Sequence, residues 1–130
     1  IYHYPNSPEI ANFFNKGEFI DAKIISKNQL FHKKLGIING KVGKEFKIGT
    51  NVKLLIQAED LVHSDRSKLK FKIVDKRFSG TYFTYTLEIS KNERIPVIVH
   101  SHHSHSHNIG DEFGLKTPIV LEHTVCFSKK

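Results

Sequence analysis

The chain has no methionine, no tryptophan and a single cysteine among its 130 residues. One thiol, Cys126, closes no internal disulfide and excludes every CxxC redox or zinc signature, so a reducing compartment is the expectation. No apolar run approaches the roughly 20 residues that a membrane-spanning helix needs. The first residues also lack the charged-then-apolar order of a signal peptide, and a soluble chain is expected. Without methionine, and opening on Ile1, the sequence reads as a piece excised from a longer protein. Its length allows one compact domain or two small lobes sharing a core, and leaves no room for a large multidomain enzyme.

Catalytic signatures are missing as well. A phosphate-cradling loop needs two glycines with four residues between them, then Lys and Ser or Thr. The nearest stretch, Gly36 to Glu45, has the wrong spacing and an acid where Mg²⁺ wants a hydroxyl, so it reads as a glycine-rich hairpin. No G-x-S-x-G elbow occurs. Cys126 follows His123 by three residues and reads as a buried bystander thiol. Glu59 and Asp60 are adjacent carboxylates, but strand neighbours point to opposite faces, which makes them a structural corner rather than an acid–base pair. The chain by itself is expected to be no enzyme.

What is present is hydrophobic patterning and positive charge. Hydrophobic residues at 38%, including ten Phe, suffice for a core. Twenty Lys and Arg against thirteen Asp and Glu give a formal charge of +7, and the pI is near 9.5. Nucleic acid, anionic lipid or an acidic protein surface would each be attracted, and charge does not choose among them.

Ser7, Pro8 and Glu9 stand in the order of an N-cap, a first-turn proline and an early acid, which predicts a short helix over 8–15 stopped by Gly17. From Phe19 the period becomes alternating. Apolar runs at Ile20–Ile25, Leu35–Ile38, Phe46–Ile48 and Val52–Ile56, punctuated by Asn39-Gly40, Gly43 and Gly49-Thr50-Asn51, predict strands in hairpins. His63–Ser67 reads as a polar break between two lobes. Beyond it Lys68, Lys70 and Lys72 alternate with Leu69, Phe71 and Ile73, sending cations outward and apolar groups inward. After a bend at Ser79-Gly80, the run Tyr82 to Ile89 places Phe83, Tyr85, Leu87 and Ile89 on one face and is expected to pair with the lysine strand. Ile95–Val99 and Ile119–Leu121 are further strands, with a turn at Asn108-Ile109-Gly110-Asp111 between them. The expected fold class is all-β: barrel-like lobes of the oligonucleotide/oligosaccharide-binding (OB) type with one short N-terminal helix.

Three segments in order resemble the C-terminal part of the ATP-binding subunit of bacterial ABC importers for ferric iron, sulfate, polyamines or sugars. Ile1 to Phe14, with Tyr2, Tyr4, Pro5 and the Phe13-Phe14 pair, is similar to the family's exit from its nucleotidase domain. Gly49 to Leu61 is similar to a strand ending in Ile-Arg-Pro-Glu-Asp, with Gln57 and Ala58 standing where the family has Arg and Pro, and Glu59 and Asp60 kept. Phe71–Gly80 with its following strand, then Ile109 to Glu112, is similar to the transport-associated OB-like repeat called TOBE. The resemblance implies an exit helix over 1–18, a first OB-like lobe over 19–62, a connector over 63–68 and a second, TOBE lobe over 69–130. It implies that ATP and Mg²⁺ are held in an absent nucleotidase domain, with no cofactor in this piece. The piece would then be a regulatory and dimerisation domain at the cytoplasmic face of the inner membrane, its permease subunits met through the parent protein. A small molecule or ion is the regulator the resemblance implies.

Two clusters carry sharper readings. His100, His102, His103, His105 and His107 form an interrupted tract in which His103, His105 and His107 share one face if the chain is extended. They are a candidate weak site for Zn²⁺, Ni²⁺ or Cu²⁺, set against a solvated loop or a pH-sensitive one. The tract precedes Gly110 in a way similar to iron-type importers. Lys68, Lys70 and Lys72, with Tyr82 as a stacking ring, are the candidate surface of the alternative function, an OB-fold domain binding single-stranded nucleic acid. A solvated strand face is the stronger reading of these lysines, and nucleic acid is not the expected partner.

Overall fold

The computed structural model describes residues 18–100 and 107–128, and these are all-β. The helix expected over 8–15 lies outside the described residues, as do His102, His103 and His105. Ten strands follow in order: β1 (Glu18–Ser26), β2 (Gln29–His32), β3 (Gly36–Asn39), β4 (Asn51–Ile56), β5 (Lys70–Phe78), β6 (Tyr82–Ser90), β7 (Glu93–His100), β8 (Glu112–Gly114), β9 (Ile119–Val120) and β10 (Cys126–Ser128). They form a six-stranded sheet in the order β10-β4-β1-β2-β3-β9 and a four-stranded sheet in the order β7-β6-β5-β8. The last two strands thus return to the sheet built by the first four.

Alternation explains most of this. On β1, Ile20, Ala22 and Ile24 are buried, and on β6 Tyr85, Leu87 and Ile89 are buried. These faces meet in one contiguous core that also takes Val52, Leu54 and Ile56 from β4 and Ile95, Val97 and Val99 from β7. The lysine strand behaves as its pattern predicts over its first half: Lys70 and Lys72 are exposed, Phe71 is half-buried and Ile73 is fully buried. A register shift between Ile73 and Asp75 then rephases β5. Past this irregularity Lys76 pairs with Tyr85 and Phe78 with Phe83, so a cation now lies on the face of the rings, its Nζ 4.7 Å from the Phe83 centroid.

One local expectation is corrected. Phe46–Ile48 is no strand. Phe46 N–H donates to Gly43 O at 3.2 Å and Thr50 N–H to Lys47 O at 3.1 Å, and Gly49 adopts φ 93°. The backbone groups close turns instead of a ladder, Phe46 packs on the core and Ile48 is exposed. In compensation, β2 forms from a segment with weak apolar pattern, because two residues, Lys27 and Asn28, turn the chain back on β1.

One side chain ties the sheets together. Glu93, at the start of β7, accepts the Asp21 N–H of β1 on Oε2 at 2.6 Å and faces His32 Nε2 of β2 through Oε1 at 2.7 Å. His32 Nδ1 accepts the N–H groups of Lys34 and Leu35 at 3.0 and 3.2 Å, so the ring carries its proton on Nε2 and donates it to Glu93.

Candidate functional site

The outer face of the four-stranded sheet, opposite the core, carries the side chains that alternate with the buried set: Tyr82, Thr84 and Thr86 of β6, Asp75 and Arg77 of β5, and Pro96 and Ile98 of β7. The chain leaving β4 folds over one side of this face. There Ile98 N–H donates to Ala58 O at 3.1 Å, fastening the corner to the edge of β7. Glu18, Ala58 and Glu59 then wall a groove of about 430 Å³ whose floor is that outer face. The groove holds three carboxylates, Glu18, Glu59 and Asp75, against one guanidinium, Arg77, which sits with its Nε 3.1 Å from Asp75 Oδ2. In a chain of net charge +7 it is an acidic, hydroxyl-lined exception, suited to a small polar cation and unsuited to phosphate.

The corner itself is a capped turn. Asp60 Oδ2 accepts the Gln57 N–H at 2.7 Å and Asp60 N–H donates to Gln57 O at 3.0 Å. Burial pushes the Asp60 carboxyl above its ordinary range, the Gln57 N–H draws it partly back, and the neighbouring Glu59 charge adds to the rise. Gln57 therefore contributes through its backbone, and Glu59 is the charged corner residue that faces the groove, beside Ala58.

Tyr82 and the corner, read separately in the sequence, share this groove. Tyr82 and the lysines do not come together. Lys72 is paired across the sheet with Glu88 on one side and Glu112 on the other, so two carboxylates flank the cation row. Tyr82 lies six residues from Glu88 along β6, about 20 Å away at the usual rise per residue. Lys68 is exposed just ahead of β5. Of the histidine tract, His100 ends β7 exposed, whereas His107 is turned inward, 9% exposed and edge-on to the Tyr85 ring at a centroid distance of 5.7 Å. Cys126 is buried and its thiol is pushed up to about 12 by burial first and by the Glu45 charge second.

A further cluster was not singled out by the sequence. His63 Nε2 lies 2.8 Å from Asp65 Oδ1, and a potential ligand atom of each of His63, Asp65 and His107 lies within 4.8 Å of the others. The signal was available as a His-x-Asp step in the polar break. It carried no weight there because the third member stands more than forty residues away, at the end of the histidine tract.

Comparison with known proteins follows the same direction as the fold. No protein-family profile matches the chain. It is 30% identical over 90 residues to the spermidine/putrescine import ATP-binding protein PotA of Mesomycoplasma hyopneumoniae strain J, a match that covers 68% of this chain and 20% of that protein. It is 28% identical over 102 residues to the protein of the same name from Mycoplasmopsis synoviae, covering 73% of this chain and 22% of that protein. With the one from Mycoplasma genitalium it shares 24% over 94 residues. The chain thus spans about a fifth of the length of these relatives, and its similarity is to part of an import ATP-binding subunit.

Proposed function

We propose that the chain is the C-terminal regulatory portion of the ATP-binding subunit of a bacterial ABC importer, of TOBE type, and that the importer carries polyamines. The observation that carries this reading is the similarity to several proteins named for spermidine/putrescine import over about 70% of the chain, in a domain that is all-β among its described residues. Those names speak for polyamines, and nothing in them favours iron. Catalysis would belong to the parent's nucleotidase portion, and permease subunits would be met there, at the cytoplasmic face of the membrane. Two copies of this portion would pair in the assembled transporter. The acidic groove of Glu18, Glu59, Asp75 and Tyr82 is the place for a cationic regulator, because a flexible polycation gains most from carboxylates spaced along a groove. The histidine tract is a separate, weak divalent-metal site under the same reading.

The test has two arms. The gene that encodes this chain should carry a phosphate loop upstream of Ile1; its absence overturns the reading. In the full-length subunit, Glu59→Gln with Asp75→Asn should leave basal ATP hydrolysis intact and blunt its response to spermidine. An unchanged response would remove the groove from the regulation. The nucleic-acid alternative predicts submicromolar single-stranded DNA binding at physiological salt, lost in Lys70→Ala with Lys72→Ala. Binding that disappears with salt is what the flanked lysines lead us to expect.

A further inference from the structure

We propose that His63, Asp65 and His107 form a binding site for one divalent transition-metal ion, which takes only His107 from the histidine tract and is independent of the transporter reading. The site starts from a backbone constraint. His63 bridges Leu115 just past β8, and Ser64 N–H donates to Gly114 O at 2.9 Å. The connector runs so close to β8 that a Cβ on Gly114 would collide with Ser64 O. This fixes the His63 backbone, and the ring is fixed in turn because its Nδ1 lies 3.0 Å from Gly114 O. An Nδ1–H donated to a carbonyl oxygen is the outer-shell bond that usually orients a metal-ligating imidazole, leaving the Nε2 lone pair to face the ion.

Here Nε2 faces a carboxylate, Asp65 Oδ1, at 2.8 Å. One imidazole thus confronts two acceptors, a carbonyl at Nδ1 and a carboxylate at Nε2, and a neutral ring has one proton to offer. A positive centre between Nε2 and the carboxylate satisfies both. It is either a second proton or a metal ion, and the third group decides for the metal: His107 brings another imidazole within 4.8 Å of both, its ring centroid 4.7 Å from that of His63. A proton has no use for a third donor atom, whereas two imidazoles and a carboxylate are a complete three-residue ligand set.

The geometry asks for little movement. Donor atoms about 2.1 Å from a tetrahedral ion stand about 3.4 Å apart, so His63 and Asp65 would separate by about half an ångström and His107 would close by about 1.4 Å at most. The Asp65 side chain is half exposed, while the His63 side chain is 7% exposed. The Phe113 ring lies 4.2 Å from His63 and 5.2 Å from His107, which keeps solvent from the back of the site. One feature opposes binding: Lys76 Nζ donates to the His107 carbonyl at 2.7 Å and places a cation nearby. With one carboxylate and that lysine, the site fits a nitrogen-seeking ion such as Zn²⁺ and not Ca²⁺ or Mg²⁺, which want more oxygen ligands. A bound ion would pin the connector to the segment that follows the tract.

Zn²⁺ titrated calorimetrically into the 130-residue chain tests this, with Co²⁺ as a visible-absorption probe of coordination. We expect one tight equivalent, a Zn²⁺-dependent rise in melting temperature, and a loss of affinity of about tenfold or more in Asp65→Asn, whose exposed position leaves the apo fold intact. His63→Gln should behave alike, its apo melting temperature reporting any structural damage separately. A triple variant, His102→Ala with His103→Ala and His105→Ala, should keep the tight equivalent. No tight equivalent in the parent chain overturns the proposal, and so does a tight equivalent that survives Asp65→Asn and vanishes in the triple variant.

Discussion

Cys126 and Asp60 show how burial alone sets chemistry at single residues. The Cys126 thiol is enclosed among Leu54 and its neighbours and held near 12, so at pH 8 both thiolate and access are lacking. We expect no reaction with Ellman's reagent on the time scale of minutes in the folded chain and full, rapid reaction in denaturant; a fast-reacting native thiol would contradict the packing. Asp60 presents the opposite sign from a salt-bridged acid. Its folded-state pKa lies above the ordinary 3.8, so the folded protein holds that proton more tightly than the unfolded chain does. The ionised group therefore works against folding above the folded pKa, and this cost fades as pH falls through it. Asp60→Asn keeps an oxygen for the Gln57 N–H and removes the charge. The variant should be more stable than the parent at pH 7, and thermal melts should show the gap closing below pH 3.8. A gap that widens in acid would reverse the assignment.

Among the elements, β7 and β1 are joined by polar contacts as well as by shared core, and Glu93 is the junction. Glu93→Ala would leave the Asp21 N–H and the His32 Nε2–H without acceptors in a part-buried seam. Unsatisfied buried donors cost about 1–3 kcal/mol each, so chemical denaturation should register a loss of about 3 kcal/mol. A loss below the usual scatter of surface substitutions, about 0.5 kcal/mol, would mean that the seam is held by apolar contact alone. Nothing in the sequence announced this tie. Alternation made β1, β4, β6 and β7 legible, and the Lys68–Ile73 pattern gave the facing of early β5, because one side of each strand meets a core. The irregularity after Ile73 was not legible, since no residue type marks it, and it moves Lys76 to the aromatic face. Phe46 looked like part of a strand because apolar content does not distinguish a buried turn from a ladder. The candidate sites divide in the same way. Glu59 and Tyr82 were visible as residue types, but the groove they share exists only once the corner docks on Ile98. His63 and Asp65 gain meaning only from a partner distant in the chain.

The molecule as a whole carries net charge +7 and several wet apolar side chains, and these oppose each other in self-association. Phe31 of β2 and Ile37 of β3 are paired across their strands and both are more than 40% exposed, giving the six-stranded sheet an outward apolar spot that a second copy could cover. Burying two such side chains on each of two copies is worth a few kcal/mol by area, before the entropy of association is subtracted. Like charge on the two copies subtracts further, and this contribution is screened by salt, whereas apolar burial is not. Any nucleotidase domains and membrane partners of a parent importer would hold two copies together and raise their effective concentration, and the isolated chain lacks that help. The expected behaviour is therefore a reversible dimer that appears at high protein concentration and strengthens with salt, seen as a rising weight-average mass in sedimentation equilibrium. Phe31→Ser should shift it to monomer with little change in melting temperature, because the ring contributes little to the core. A strict monomer at every protein and salt concentration would count against the dimerisation part of the proposed function, and a dimer weakened by salt would mean that the contact is electrostatic and lies on another face.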